Sequence, residues 1–235
     1  MQESRKREIR IKADSFRENC KIGRYGIIDL FKDCTRCGYK LLRYPLGEST
    51  DLGFSLLKDQ DIIIFTNSSS RLSREIFTLA HEMGHALHSW YSDETQPYIY
   101  AGYRIFVAEV ASTCNEALLI HHLLKKAKDP KTKAYLINYF LEQFRTTLYR
   151  QTMFAEFEKI THGLQEAGEA LTAERLCSIY YDLNKAYFGE DICIDRQIEM
   201  EWARIPHFYT PFYVYQYATG FSAAIELSGK IHREG

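Results

Sequence analysis

His81-Glu82-Met83-Gly84-His85 sets two histidines four residues apart, a spacing that on an α-helix projects both imidazoles from one side about one turn apart. Two nitrogens so placed can reach a single Zn²⁺, with Glu82 beside the metal to take a proton from bound water. The residues around the motif support a helix. Ile76, Leu79, Ala80, Met83 and Leu87 recur at helical spacing, Ser70 or Ser73 is a candidate N-cap, and Glu75 suits the first turn. The plainer alternative is a pair of ordinary helix histidines that happen to bracket a glutamate. It draws its force from the shortness of the motif, so the decision passes to the rest of the chain.

The bulk properties exclude several classes of function. A chain of 235 residues with mixed charge has the length for a real core, as one large domain or two small ones. A net charge of −1 gives no electrostatic reason to expect nucleic acid or an anionic membrane as partner. The basic start, MQESRKREIRIK, leads into no apolar run and does not read as a secretory signal. No apolar run approaches the length needed to cross a bilayer. Cys20, Cys34, Cys37, Cys114, Cys177 and Cys193, without a signal, suggest reduced thiols and a cytoplasmic location. Cys34 and Cys37 form a lone CxxC with no second ligand pair at a suitable spacing, so it does not read as a structural zinc site.

Residues 1–20 read as a charged helix with a thin apolar side, and residues 24–37 as a second helix. The period then changes. Residues 39–44, 53–57 and 61–65 are short β-type runs, the last two divided by a hairpin at 58–61. Everything from the HEMGH helix onward reads as helical: 104–126, stopped by Asp129-Pro130; a long helix from Lys131 to about Ile160; one from the cap Thr172 to Gly189; a shorter one from Asp195 to Pro206; and a tyrosine- and alanine-rich segment from Pro211 to about His232. The expected fold is α+β and mostly α-helical, with a small N-terminal sheet packed on the zinc helix. The expected organisation is 1–70 followed by a helical 71–235, together one compact unit.

A catalytic zinc takes three protein ligands and keeps one position open. The short HExxHxxGxxH extension is absent, because Tyr91 stands where the third histidine would be. His88 lies almost a turn beyond His85 and reads either as a support or substrate-facing residue or as packing. Glu109 is the better third ligand. It sits among Val107, Ala108, Val110 and Ala111, where a carboxylate is costly unless paired or metal-bound, and Ser112, Thr113 and Glu116 extend a polar strip from it. The competing reading is a solvated face carrying two glutamates.

From Phe77 to about Ile231 the chain resembles the catalytic part of the thimet oligopeptidase family, in its oligoendopeptidase F branch. The stretches that carry the resemblance are FTLAHEMGHALHSWYS, QPYIYAGYRIFVAEVASTCNEALL, RQTMFAEFE and EWARIPHFYTPFYVYQYATGFSAA. It implies a zincin-like zinc metallopeptidase in which His81, His85 and Glu109 bind zinc and Glu82 is the general base. It further implies that a late histidine, His207, and the tyrosines Tyr213 and Tyr217 contact the substrate and stabilise the oxyanion. The two tyrosines, four apart, are expected to share a helix face. Members of that family carry a long N-terminal helical region that this sequence does not show. Residues from about 10 to 85, through RYPLGESTDLGFSLLKDQDIIIFTNSSSRLSREIFTLAHEMGH, instead resemble the ImmA/IrrE-type metallopeptidases, so the chain reads as two families joined at a shared FTLAHExGH. The expected function is a zinc-dependent metalloendopeptidase acting on oligopeptides, with one Zn²⁺ per chain and a peptide as its partner. The alternatives are a regulatory protease that cuts one repressor protein, and a zinc-binding scaffold without turnover.

Overall fold

A computed structural model describes residues 31, 34–35, 38–47, 52–58 and 61–234. The helix expected over 1–20 lies outside them. Of the one expected over 24–37, Phe31, Cys34 and Thr35 are described and are helical. The described chain is mostly α-helical with one small sheet, and it divides into two compact units, residues 1–103 and 104–235.

In the first unit the three β-type runs become β1 (Lys40–Tyr44), β2 (Gly53–Lys58) and β3 (Asp61–Asn67). The β-branched run Ile62-Ile63-Ile64 favours the central position, and the strand order is β1-β3-β2. β1 pairs parallel with β3, whereas β2 pairs antiparallel with it and closes the expected hairpin at Lys58↔Asp61. Alternation along β3 buries Ile64 and Thr66. On its other face Phe65 stacks on Phe54 at 4.4 Å between centroids. Ile64 shares a core with Leu79, Tyr39 and Cys34, edged by Phe31, Leu41, Ile62 and Met83. Burial pushes the Cys34 thiol up to about 12, which makes it an inert packing residue.

α1 (Leu72–Thr95) carries the HEMGH motif, and the short α2 (Tyr98–Ala101) follows it. Neither expected serine caps α1. The N-cap position is Arg71, in extended backbone with no side-chain cap, so Ser70 comes one residue too early and Ser73 already lies inside the helix. Glu75 does occupy the first turn, but the Arg43 guanidinium clamps its buried carboxylate with two 2.7 Å bonds and Thr66 adds one at 2.8 Å.

The second unit comprises α3 (Ile105–Lys126), α4 (Pro130–Gln143), a π-helical turn (Phe144–Tyr149), α5 (Arg150–Glu166), α6 (Ala173–Phe188), 3₁₀ turns at Arg196–Arg204 and Pro206–Tyr209, and α7 (Tyr215–Glu234). Asp129 caps α4 by accepting from the Thr132 amide. Thr172 caps α6, which ends at Gly189 with φ +81°. The long helix expected from Lys131 is therefore three pieces. Within the wide turn Phe144 meets Phe140 and Phe221 edge to face at 5.2 and 4.9 Å. The segment expected to be a helix after Asp195 winds as a 3₁₀ turn. It brings Glu201 into the core, where that carboxylate accepts from Tyr180, Arg150 and Arg204. Around this network Met153, Phe154, Phe157, Leu183, Ile205 and Val214 form the unit's main core.

Candidate metal centre

In the first unit, α1 presents His81 and His85 one turn apart with their Nε2 atoms 3.1 Å from each other and their rings edge to face at 4.7 Å. Two imidazole nitrogens on one tetrahedral zinc stand roughly 3.3 Å apart. The pair therefore fits chelation of a single ion. Glu82 is buried and lies near the start of β2: a Cβ built on Gly53 would come within 3.6 Å of the Glu82 Cγ. The same Cβ would fall 2.6 Å from the Phe65 carbonyl oxygen and from the Thr78 methyl. Only a residue without a side chain fits there. His88 packs its ring on Tyr103 at 4.0 Å with Nδ1 buried and without a hydrogen-bond partner, and burial lowers its pKa. Between its two readings, the packing one describes what it touches.

In the second unit, Glu109 is half-buried on α3, and Ser112 donates to its Oε2 at 3.1 Å. The polar strip read from the sequence thus includes a working support for this carboxylate. Glu116 is engaged elsewhere, accepting from Gln143 on α4. The helices α3 and α7 approach closely at Gly220, where an added Cβ would meet the Phe106 carbonyl oxygen at 3.2 Å and the Glu109 Cβ at 3.9 Å.

His207, Tyr213 and Tyr217 come together. The His207 ring lies parallel to Tyr213 at 5.6 Å and edge-on to Tyr217 at 6.0 Å, and the two tyrosine hydroxyls are 3.4 Å apart. Burial pushes the Tyr217 phenol well above its ordinary value, with the Tyr213 hydroxyl and then the Glu109 carboxylate adding to the rise, so it stays a proton donor. The expectation that the tyrosines share a helix face does not hold. α7 starts only at Tyr215, because Phe212 takes a positive φ of 55° that breaks the helical path, and Tyr213 belongs to the turn before it. Sequence reasoning missed what holds that turn: the buried Glu158 of α5 accepts from the Phe212 amide. The available signal was an acid beside the apolar run Met153-Phe154-Ala155 and Phe157 within RQTMFAEFE.

His81 and His85 thus belong to the first unit and Glu109 to the second. The sequence matches peptidase family M3 over residues 57–235. It is 58% identical over 160 residues to oligopeptidase PepF of Bacillus subtilis, covering 68% of this chain and 24% of that protein. Among solved structures it resembles oligoendopeptidase-F from Enterococcus faecium, with TM-score 0.62, 45% identity and 69% of this chain against 29% of that one. It also resembles a putative peptidase from Chlamydophila abortus, with TM-score 0.75, 37% identity and 88% against 35%. The chain thus spans about a quarter of the length of the curated relative. The resemblance of residues 10–85 to ImmA/IrrE-type metallopeptidases finds no support in these comparisons, and the family match already takes in residues 57–85. That match runs through β3, the HEMGH helix and every element after them, and on it the chain belongs to peptidase family M3.

Proposed function

We propose that the chain carries the catalytic machinery of a zinc-dependent metalloendopeptidase that hydrolyses peptide bonds in oligopeptides, built on a zincin-like sheet and helix. The observation that carries the reading is the His81–His85 pair, with convergent Nε2 atoms and the buried Glu82 between them in sequence. His81, His85 and Glu109 are the proposed zinc ligands, and Ser112 holds the Glu109 carboxylate in place. Zinc supplies a Lewis acid for the scissile carbonyl and lowers the pKa of water. Glu82 is the general base: it takes the proton of the attacking water and hands it to the leaving amine.

Tyr213 and Tyr217 are phenol donors for the oxyanion, and His207 contacts the substrate beside them. β2 is an edge strand that pairs only with β3 among the described residues, and it begins beside Glu82 at Gly53. An extended peptide can add to that edge by main-chain hydrogen bonds, with side-chain pockets setting preference. The test is metal content and hydrolysis of short generic peptides by the wild type and by Glu109→Ala. The reading expects about one zinc per chain and turnover in the wild type, both reduced in the variant. Zinc without hydrolysis of any peptide would point to a scaffold, and cleavage confined to one protein substrate would point to a regulatory protease.

A further inference from the structure

The turn that carries Tyr213 is strained, and the group that holds it is a buried acid with no part in the reaction proposed above. Among the described residues Phe212 is the one non-glycine with a positive φ, at 55°. A bulky aromatic residue rarely adopts that backbone, which persists only where the surroundings impose it. Burial of the Phe212 ring does not impose it, since that residue is 54% exposed and its ring contact is with His162 at 4.7 Å. What the structure offers is a hydrogen bond. The Phe212 amide donates to Oε1 of Glu158, which is 54 residues away on α5 and only 4% exposed, beside the core residues Phe154 and Phe157.

A carboxylate so buried is costly unless it accepts hydrogen bonds, and a charged acceptor makes the bond to an amide stronger than a neutral one does. On the other side of Tyr213, Val214 is buried in the same core. Tyr213 is therefore suspended between two fixed points. From there its hydroxyl reaches that of Tyr217 and its ring lies parallel to His207.

We infer that Glu158 is a positioning residue: its carboxylate holds the left-handed turn at Phe212 and thereby sets Tyr213 and Tyr217 as oxyanion donors. The inference rests on the peptidase reading above. It goes beyond that reading by making a buried acid, remote in sequence from the motif, a determinant of kcat.

The experiment measures kcat, KM and zinc content on fluorogenic peptides for the wild type, Glu158→Ala, Glu158→Gln and the double variant Glu158→Ala/Phe212→Gly. Misplacing the donors by about an ångström in Glu158→Ala is expected to lower kcat by about 100-fold, with KM and zinc content little changed. Glu158→Gln keeps an oxygen acceptor but makes a weaker bond, so its kcat falls less, by roughly tenfold. In the double variant, left-handed backbone costs glycine nothing, and part of the lost kcat returns. A folded, zinc-loaded Glu158→Ala with wild-type kcat overturns the inference. So does a lost kcat that tracks the loss of folded protein and is not recovered by Phe212→Gly. If Glu158→Ala does not fold, Glu158→Gln decides, by a fall in kcat at constant KM or by none.

Failure of the peptidase reading itself shows separately, as absence of turnover in the zinc-loaded wild type. Crystal structures of the wild type and Glu158→Ala then read the inference directly. Phe212 leaving positive φ and the tyrosine hydroxyls separating beyond 3.4 Å in the variant support it, and an unchanged turn overturns it.

Discussion

Glu75 shows how far a single residue's environment can depart from what its place in the sequence suggests. Its position in the first turn of a helix reads as a favourable dipole partner, worth a few tenths of a kcal/mol. In the structure the carboxylate is 1% exposed and held by Arg43 from β1 and Thr66 from β3. Burial pushes its pKa upward, but the hydrogen bonds from Arg43 and Thr66 and the guanidinium charge outweigh that and hold it below the ordinary range. The group therefore favours folding above its unfolded pKa of about 4.3, and that contribution is lost as pH falls through the lower folded value. Denaturation midpoints of the wild type should fall on acidification below about pH 4 more steeply than those of Glu75→Gln. Parallel slopes would contradict this account. At neutral pH Glu75→Ala should cost about 2–3 kcal/mol, because it leaves Thr66 buried without its acceptor while the half-exposed Arg43 returns to water. No sequence pattern connects Arg43, Thr66 and Glu75, since the contact forms only when strand pairing and helix packing bring them together.

Among the elements, two glycines set how closely the candidate catalytic groups are approached. At Gly220 two effects compete. Alanine is the better helix former by about 1 kcal/mol, but its Cβ would press on the Phe106 carbonyl oxygen at 3.2 Å, and overpacking of a buried contact costs about 1–3 kcal/mol. The backbone oxygen cannot turn aside as a side chain can, so Gly220→Ala should be destabilising by about 1 kcal/mol in denaturant. It should also lower kcat, because α7 carries Tyr217 past Glu109. A stabilised variant would show that α3 and α7 part without strain. Gly53→Ala should do more. Its Cβ would fall 2.6 Å from the Phe65 carbonyl oxygen, so the start of β2 must leave β3, at a cost of about 2–3 kcal/mol in thermal or chemical unfolding. Unchanged stability would mean that β2 adjusts freely beside Glu82. The elements themselves were largely legible: three strands, the cap at Thr172 and the stop at Asp129-Pro130 all follow from local signals. The π-helical turn at Phe144–Tyr149 was not, because its aromatic partner Phe221 lies on α7.

For the molecule as a whole, the legible part of the candidate site was the part written in contiguous residues. The spacing in HEMGH puts two imidazoles on one side of a helix, and Glu109 stands out as an acid flanked by Val107, Ala108, Val110 and Ala111. His207, Tyr213 and Tyr217 carried no such signal of their own. Only a family resemblance singled them out, and the turn that brings them together depends on Glu158, far away in the sequence. The family assignment rests on residues 57–235, and the chain spans about a quarter of its curated relative, so its activity has to be measured on this chain. The most direct measurement is hydrolysis of a quenched-fluorescence peptide mixture by the purified protein and by Glu82→Gln, with zinc determined in both. The account predicts about one zinc per chain in each and a loss of turnover in the variant of about 100-fold or more, as expected for removal of a general base. Undiminished turnover in a zinc-loaded Glu82→Gln would contradict it.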